Sequence, residues 1–357
     1  MTLKKSGKND VFPPQIGNVL ATFVDINDGQ LKLKDQAGNV ATLSAYINIP
    51  PPSGGGVIIE GAGAGSSIRC GVSNAALAPC STALGSNNNI DTNACYSSIL
   101  GGFQNQITQR CSTIGNGQDN TISSARSFIG SGLSVNISGD YSFVGAAAQI
   151  TASGLSSFVG SGNLLTTSGC YSSVVNGYYN CAIGAYSFIG TGLCNTSSGI
   201  SAFTGSGCCN LTSGDYSFIG GGAVNATSCF ALYGSIGGGN CNNLSAYGTS
   251  ISGGIINSAS GIYSSLMGGY GNTVSGYSSF VGGGSGNTAS GYKSAILGGN
   301  QNIAGTSEAM IVGSNITANR TCTTFVNNLS IMNIPTAAAG LPQGSVWANG
   351  TVLEIIP

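Results

Sequence analysis

Histidine is absent from this chain, and charge is nearly so: 10 basic and 11 acidic side chains are spread over 357 residues. The first absence removes Ser–His and Cys–His nucleophile pairs and histidine-ligated metals. The second removes the basic footprint of a nucleic-acid partner, because the net charge is −1 and no basic run occurs. No run approaches the roughly 18 apolar residues of a membrane-crossing helix. The opening MTLKKSGKNDVFPPQ has basic residues but no apolar core segment, so no secretory signal is read there. A protein made in the cytoplasm, without membrane insertion, is the expectation.

The remaining routes to chemistry are also thin. Asp140 and Asp215 hold the same place in a repeat but lie five repeats apart, about 24 Å at the spacing of paired strands. Two carboxylates that far apart cannot share one glycosidic bond. The GGG runs at Gly220–Gly222, Gly237–Gly239 and Gly282–Gly284 lack the following lysine and helix of a phosphate loop. Twelve cysteines are present, none in a CxxC motif, and Cys208 and Cys209 are adjacent. They are expected to be free thiols acting as small buried hydrophobes. No catalytic residue, cofactor or metal is expected.

What the chain has instead is glycine, 59 residues of it, in a sequence that is still 41% hydrophobic. Disordered chains lack that apolar content. The glycine is ordered in sequence. SGDYSFVG at Ser138–Gly145 returns as SGDYSFIG at Ser213–Gly220. A glycine following an apolar pair recurs at Gly71, Gly85, Gly101, Gly115, Gly130, Gly145 and Gly160, with Asn176 in the next slot. It continues at Gly190, Gly205, Gly220, Gly237, Gly253, Gly268, Gly282, Gly298 and Gly313, giving 17 units of 14 to 17 residues. An asparagine column keeps step at Asn105, Asn120, Asn180, Asn195, Asn210, Asn225, Asn242, Asn257, Asn272, Asn287 and Asn302.

Two or more glycines per unit would cost a helix about 1 kcal/mol each, so helices are excluded. YSFIG and SSFVG are short, aromatic and β-branched, bounded by turn residues, as strands are. The fold class is therefore all-β, a parallel β-solenoid of about 17 coils of some 15 residues. Stacked asparagine amides would bond to their copies above and below. Adjacent strand residues face opposite ways. The column before glycine, including Leu100, Ile114, Ile129, Val144, Ile189 and Val312, is read as the inner one. The column before that, Phe128, Phe143, Phe158, Phe188, Phe203, Phe218 and Phe280 with Ile99, Leu266, Ile296 and Ile311, is read as outward. A row of outward phenylalanines marks an interface, most simply of a parallel homotrimer.

The N-T-A-S-G turn at Asn287–Gly291 and the Ser-x-Val/Ile-Gly strands at Ser142–Gly145 and Ser217–Gly220 resemble the head repeats of trimeric autotransporter adhesins, the YadA-like family. That resemblance, spanning roughly 71–313, implies a left-handed parallel β-roll assembled as a homotrimer. The period here is nearer fifteen than that family's shorter repeat, and neither an export signal nor an anchor strand is read at the ends.

The ends differ in kind from the repeats. Nine of the 21 charged residues fall between Lys4 and Asp35, whereas Asp215 is the one charge from Tyr141 to Tyr292. Residues 1–49 read as a small antiparallel β module for attachment or capping. PPP and SGGG make 50–56 a linker. The shaft then occupies 57–318 and a tip or cap module 319–357. In the last, GLPQGSVWANGTVLEIIP resembles the closing segment of phage and large-virus tail-fibre proteins, and Trp347 beside an Asn349-Gly350 turn is the tip candidate. The expected function is a virion fibre or spike, joined to other virion proteins through the N-terminal module and presenting a tip to a host-surface receptor or glycan. The alternatives are a cellular trimeric adhesin and an ice- or carbohydrate-binding solenoid.

Overall fold

The computed structural model describes residues 73–330 continuously. Outside them it describes 19–24, 31–35, 40–42, 58–60, 62, 64–69, 334–336, 339–343, 345–349 and 352–355. The linker read at 50–56 lies outside these. The chain is a parallel β-solenoid of about 17 turns, and no helix occurs among the described residues. It divides into two compact units, Met1–Val135 and Asn136–Pro357.

In the first unit, Val19–Val24, Leu31–Asp35 and Val40–Thr42 form a three-stranded antiparallel sheet. The solenoid begins with a reversal, since Ile58–Glu60 pairs antiparallel with Ser67–Arg69. From there the strands pair in parallel, coil on coil: Ser67–Arg69 with Thr82–Ala83, then Ser98–Ile99, Thr113–Gln118 and Phe128–Leu133. The second unit continues the same way. One sheet contains Thr196–Ser197, Leu211–Thr212 and Ala226–Thr227, the other Phe188–Ile189, Phe203–Thr204 and Phe218–Ile219. Parallel pairing extends to Thr324–Val326 against Met310–Val312. Near the C-terminus, Val346–Asn349 and Val352–Ile355 form the antiparallel hairpin read around Asn349-Gly350.

Coil positions are numbered here from the asparagine, so that Asn180 is position 1 and Cys194 position 15. Strands at positions 2–3 and 9–10 turn their second residue inward. Ala182 and Ile189, Leu244 and Ile251, Val274 and Val281 are fully or almost fully buried. Each large aliphatic group removed from water in this way is worth about 1.5–3 kcal/mol. Some hydroxyls that enter the core pair, as Thr204 and Thr212 do at 2.7 Å, whereas Thr167 Oγ1 is buried without a partner.

Strand amides donate to the following coil: Phe188 N–H reaches Ala202 O at 2.9 Å. Two corners do the opposite. Tyr186 N–H donates back to Cys170 O at 2.8 Å, and Cys194 N–H back to Tyr178 O at 2.9 Å. Both residues have left-handed backbones, φ 58° and 55°, and this conformation recurs at positions 7 and 15 along the solenoid. Most occupants are not glycine. The left-handed conformation costs an L-residue roughly 1–2 kcal/mol, and here it gives each corner amide an acceptor in the coil behind.

The asparagine amides finish the corner at position 1. Asn210 donates through Nδ2 to Ser206 O, Gly222 O and Asn195 Oδ1 at 3.0–3.1 Å, and its Oδ1 accepts Asn225 N–H at 3.0 Å. The column is interrupted between Asn120 and Asn180 by Val135, Ile150 and Leu165, all buried. In these coils the strand before the corner is long, as Thr113–Gln118 is before Asn120, and Phe143–Ala148 pairs with Phe158–Asn163 over the full corner. The backbone bond to position 13 is the same with or without the amide: Leu193 N–H reaches Gly207 O at 2.9 Å beside Asn195, and Asn163 N–H reaches Gly177 O at 3.0 Å beside Leu165.

The register corrects part of the sequence reading. Ser98 aligns with Thr113 and Ile99 with Ile114, which puts Leu100, not Gly101, level with Gly115. Likewise Met267 and Leu297 stand level with Gly282. Ile99, Leu266, Ile296 and Ile311 are therefore inner residues, fully buried, while Leu100 and Val312 are outward and exposed. The glycines that seemed to form one column serve different positions. The coil length between asparagines is also steadier than the glycines suggested. It is fifteen except for the 14-residue coil at Asn74–Asn87 and the 17-residue coils at Asn88–Gln104 and Asn225–Cys241, the longer two each with two extra residues at the same corner.

Three substitutions test this packing. Asn210→Ala strips acceptors and donors from a buried corner, at about 1–3 kcal/mol per unmet group, and should lower unfolding stability by roughly 2–4 kcal/mol in denaturant titration. A Cβ at Gly145 would collide with the Gly160 carbonyl, whereas one at Gly298 meets nothing. Gly145→Ala should therefore destabilise clearly and Gly298→Ala should not.

Candidate functional site

Positions 9 and 11 lie two residues apart on one strand and so share the outward face. The expected phenylalanines all occupy position 9. Phe128, Phe143, Phe158, Phe203 and Phe218 are 36–40% exposed, and Phe188 and Phe280 are somewhat less so. Their rings stack along the second unit: Phe143 on Phe158 at 5.4 Å, Phe188 on Phe203 at 5.0 Å, Phe203 on Phe218 at 5.2 Å, each within 11° of parallel.

Position 11 shows why the row matters. Wherever position 9 is phenylalanine, position 11 is glycine, and a Cβ at Gly145, Gly205 or Gly220 would lie 3.3–3.6 Å from that ring. In several coils where position 9 is small, a large apolar group takes position 11: Ser98 with Leu100, Ser173 with Val175, Ser265 with Met267, Ala295 with Leu297. The closest obstacle to a Cβ at Gly145, Gly205 or Gly220 is the next coil's carbonyl, as it is at Gly115 and Gly237 where position 9 has no ring. That obstacle does not explain why apolar bulk returns at position 11 in coils where the ring is gone. On a face open to water, nothing would refill the gap. Thr113–Gly115, Ser235–Gly237 and Ser250–Ser252 carry no bulk, and Met310–Val312 carries two groups.

A second aromatic column runs along the corner at positions 6 and 7. Tyr216, Tyr233, Tyr247, Tyr263, Tyr277 and Tyr292 follow one another over consecutive coils, with ring centroids 5.2, 5.6, 5.5, 5.8 and 5.5 Å apart. All six are exposed. When the tyrosine moves to position 6, as in Tyr247, Tyr277 and Tyr292, position 7 becomes Gly248, Ser278 or Lys293. Along the column the tyrosine takes positions 7, 7, 6, 7, 6 and 6 in turn.

The cysteines are free thiols but not buried ones, which corrects the sequence reading. Among the described residues, eight of eleven are exposed and Cys95, Cys181 and Cys208 are partly so. Sulfur tolerates the left-handed corners, where Cys111, Cys194, Cys209, Cys241 and Cys322 sit. Cys208 and Cys209 have their sulfurs 3.2 Å apart. That contact is the main cause of a Cys208 thiol raised above its ordinary pKa. Desolvation, then Cys209, raises Cys194. Cys322 Sγ donates to Glu308 Oε2 at 3.1 Å and is raised chiefly by that bond. Among the described residues, no group of three or more potential ligands is arranged to hold a metal ion.

Of the paired acids, Asp215 Oδ1 accepts the Ile200 amide at 2.8 Å, a bond between coils. Of Trp347, the structure gives the strand Val346–Asn349. No family model matches the chain, and no curated protein matches it.

A raised thiol pKa means less thiolate at a given pH. Cys194, Cys208 and Cys322 should thus be alkylated by iodoacetamide only at higher pH than free cysteine, read by peptide mass spectrometry of the folded protein. Labelling at or below the pH of free cysteine would overturn this.

Proposed function

We propose that this chain is a structural, non-catalytic protein, the shaft of a homotrimeric virion fibre or spike that serves host attachment. The observation that carries the association is the refilling of position 11 with apolar bulk when position 9 loses its phenylalanine. A face kept apolar in most coils by one or the other of two positions supports contact with protein. The partner that repeats at the same coil spacing is another copy of the chain, parallel to the first. Three copies around one axis bring the phenylalanine rows together, and the adhesin-like N-T-A-S-G turn favours that number.

The scarcity of charge supports the same reading, since a long uncharged surface is poorly soluble unless covered. The charged N-terminal segment, with its three-stranded sheet, suits attachment to other virion proteins. The virion role itself rests on the likeness of 340–357 to the closing segment of tail-fibre proteins.

Native mass measurement tests the assembly: three chains are expected. Changing Phe143, Phe188 and Phe218 together to Ser should dissociate or aggregate it. A well-behaved monomer of the unaltered chain would sink the trimer. For the virion role, particles carrying the protein tagged at its C-terminus should show the tag at their periphery by electron microscopy. Particles without the tag would remove that role.

A further inference from the structure

We propose that the tyrosine column from Tyr216 to Tyr292 binds an extended, uncharged polysaccharide strand lying along the coils. This rests on the fibre reading in one respect, that the phenylalanine face is the covered one and the tyrosine corner stays open.

The two aromatic columns differ by one atom per ring, and the difference is consistent. Every aromatic residue at position 9 is phenylalanine, whereas the corner from Tyr216 to Tyr292 uses tyrosine in each coil. A hydroxyl on an aromatic body suits a surface that is apolar on its faces and wet at its tip. The corner thus keeps its rings for something other than a dry protein contact.

Geometry narrows the ligand. The centroid steps of 5.2–5.8 Å run unbroken over six coils, so the partner must offer one flat group per similar step. From Tyr233 to Tyr277 successive rings are turned 73°, 88° and 87° to one another. In a perpendicular pair one ring offers its edge, which leaves that ring's faces uncovered by the other. The C–H bonds of a sugar ring can lie on such a face as an aromatic edge does, positive hydrogens against the π cloud. Linear polysaccharides present sugar rings in a row.

Charge narrows it further. The nearest ionisable groups of fixed charge are Asp215, whose Oδ1 is held by the Ile200 amide, and Lys293, whose Nζ lies 5.1 Å from the Tyr292 ring. Apart from Lys293 at its last coil, the column has no cation to hold a sulfate, phosphate or carboxylate. A nucleic acid lacks the cations it requires. A neutral glycan needs none.

The experiment uses the full-length protein and linear neutral oligosaccharides of two to eight sugars, of glucan, mannan and N-acetylglucosamine types, in isothermal titration. Binding of at least one type should tighten with length up to about six sugars and should not change between low and high salt. Tyr247→Ser combined with Tyr277→Ser should weaken it at least tenfold. Neither of those residues has the left-handed backbone, so the coils should fold. Tyr247→Phe with Tyr277→Phe should restore most of the binding, which a collapsed corner would not. Absence of binding to every type, or binding indifferent to the serine changes, overturns the site. Native mass read on the same samples separates the two ideas: a trimer that binds no glycan refutes the site alone, and a glycan-binding monomer refutes the fibre alone.

Discussion

The hydrogen bond from one coil to the next governs everything else in this molecule. Strand amides point forward and the amides at positions 7 and 15 point back, so each coil is tied to both neighbours. The two directions are possible only because the chain enters the left-handed region twice per coil. At roughly 1–2 kcal/mol per residue, that is a standing cost along the whole solenoid. Buried amides without acceptors would cost at least as much. Position 15 therefore tolerates even Val224 and Ile256, whose β-branching makes them poor occupants of that conformation. Coil length is consequently stiff, and the insertions that do occur are confined to Thr92-Asn93 and Cys229-Phe230, at a corner where both sheets keep register.

Much of this was legible in the sequence. The 15-residue rhythm, the asparagine corner and the outward phenylalanines follow from residue type and strand alternation. The glycines misled because they do three jobs. At position 13 they adopt positive φ, as Gly192 does at 124°; at position 11 they clear a neighbouring carbonyl, as Gly145 does; at position 12 some, such as Gly298, are merely tolerated. A column drawn through all of them slips by one residue, and the slip exchanged Leu100 with Ile99 between outside and inside. Nor does type alone show that a tyrosine can turn a left-handed corner. That choice is made by the coil behind, which supplies the acceptor.

The asparagine ladder carries a similar lesson. Where Val135, Ile150 and Leu165 replace it, the sequence shows only a gap, whereas the structure shows apolar burial and longer strands. Backbone amides reach the corner carbonyls in both kinds of coil, and Gly207 O accepts Leu193 N–H as well as Asn195 Nδ2. The side-chain amide is a second donor to a carbonyl already met, and what stands in its place is apolar packing.

With so little charge, neither register between copies nor selection of a ligand can come from ion pairs, and shape must supply both. The two outward columns are suited to different tasks on that account. Apolar bulk at positions 9 and 11 is aperiodic: phenylalanine at 128, 143 and 158, a break at 173, phenylalanine again at 188, 203 and 218, then a longer break to 280. In the proposed assembly, sliding one copy by a coil would set rings against serines at every boundary of that pattern, so the pattern itself fixes register. The tyrosine column carries one ring in each of six coils at similar steps and singles out no one register. A polymer on it could sit in several equivalent registers, and that multiplicity favours capture of a repetitive ligand over recognition of a unique one. An aperiodic stripe for identical partners and a periodic one for a periodic partner are what a single solenoid can offer when charge is not available to tell them apart.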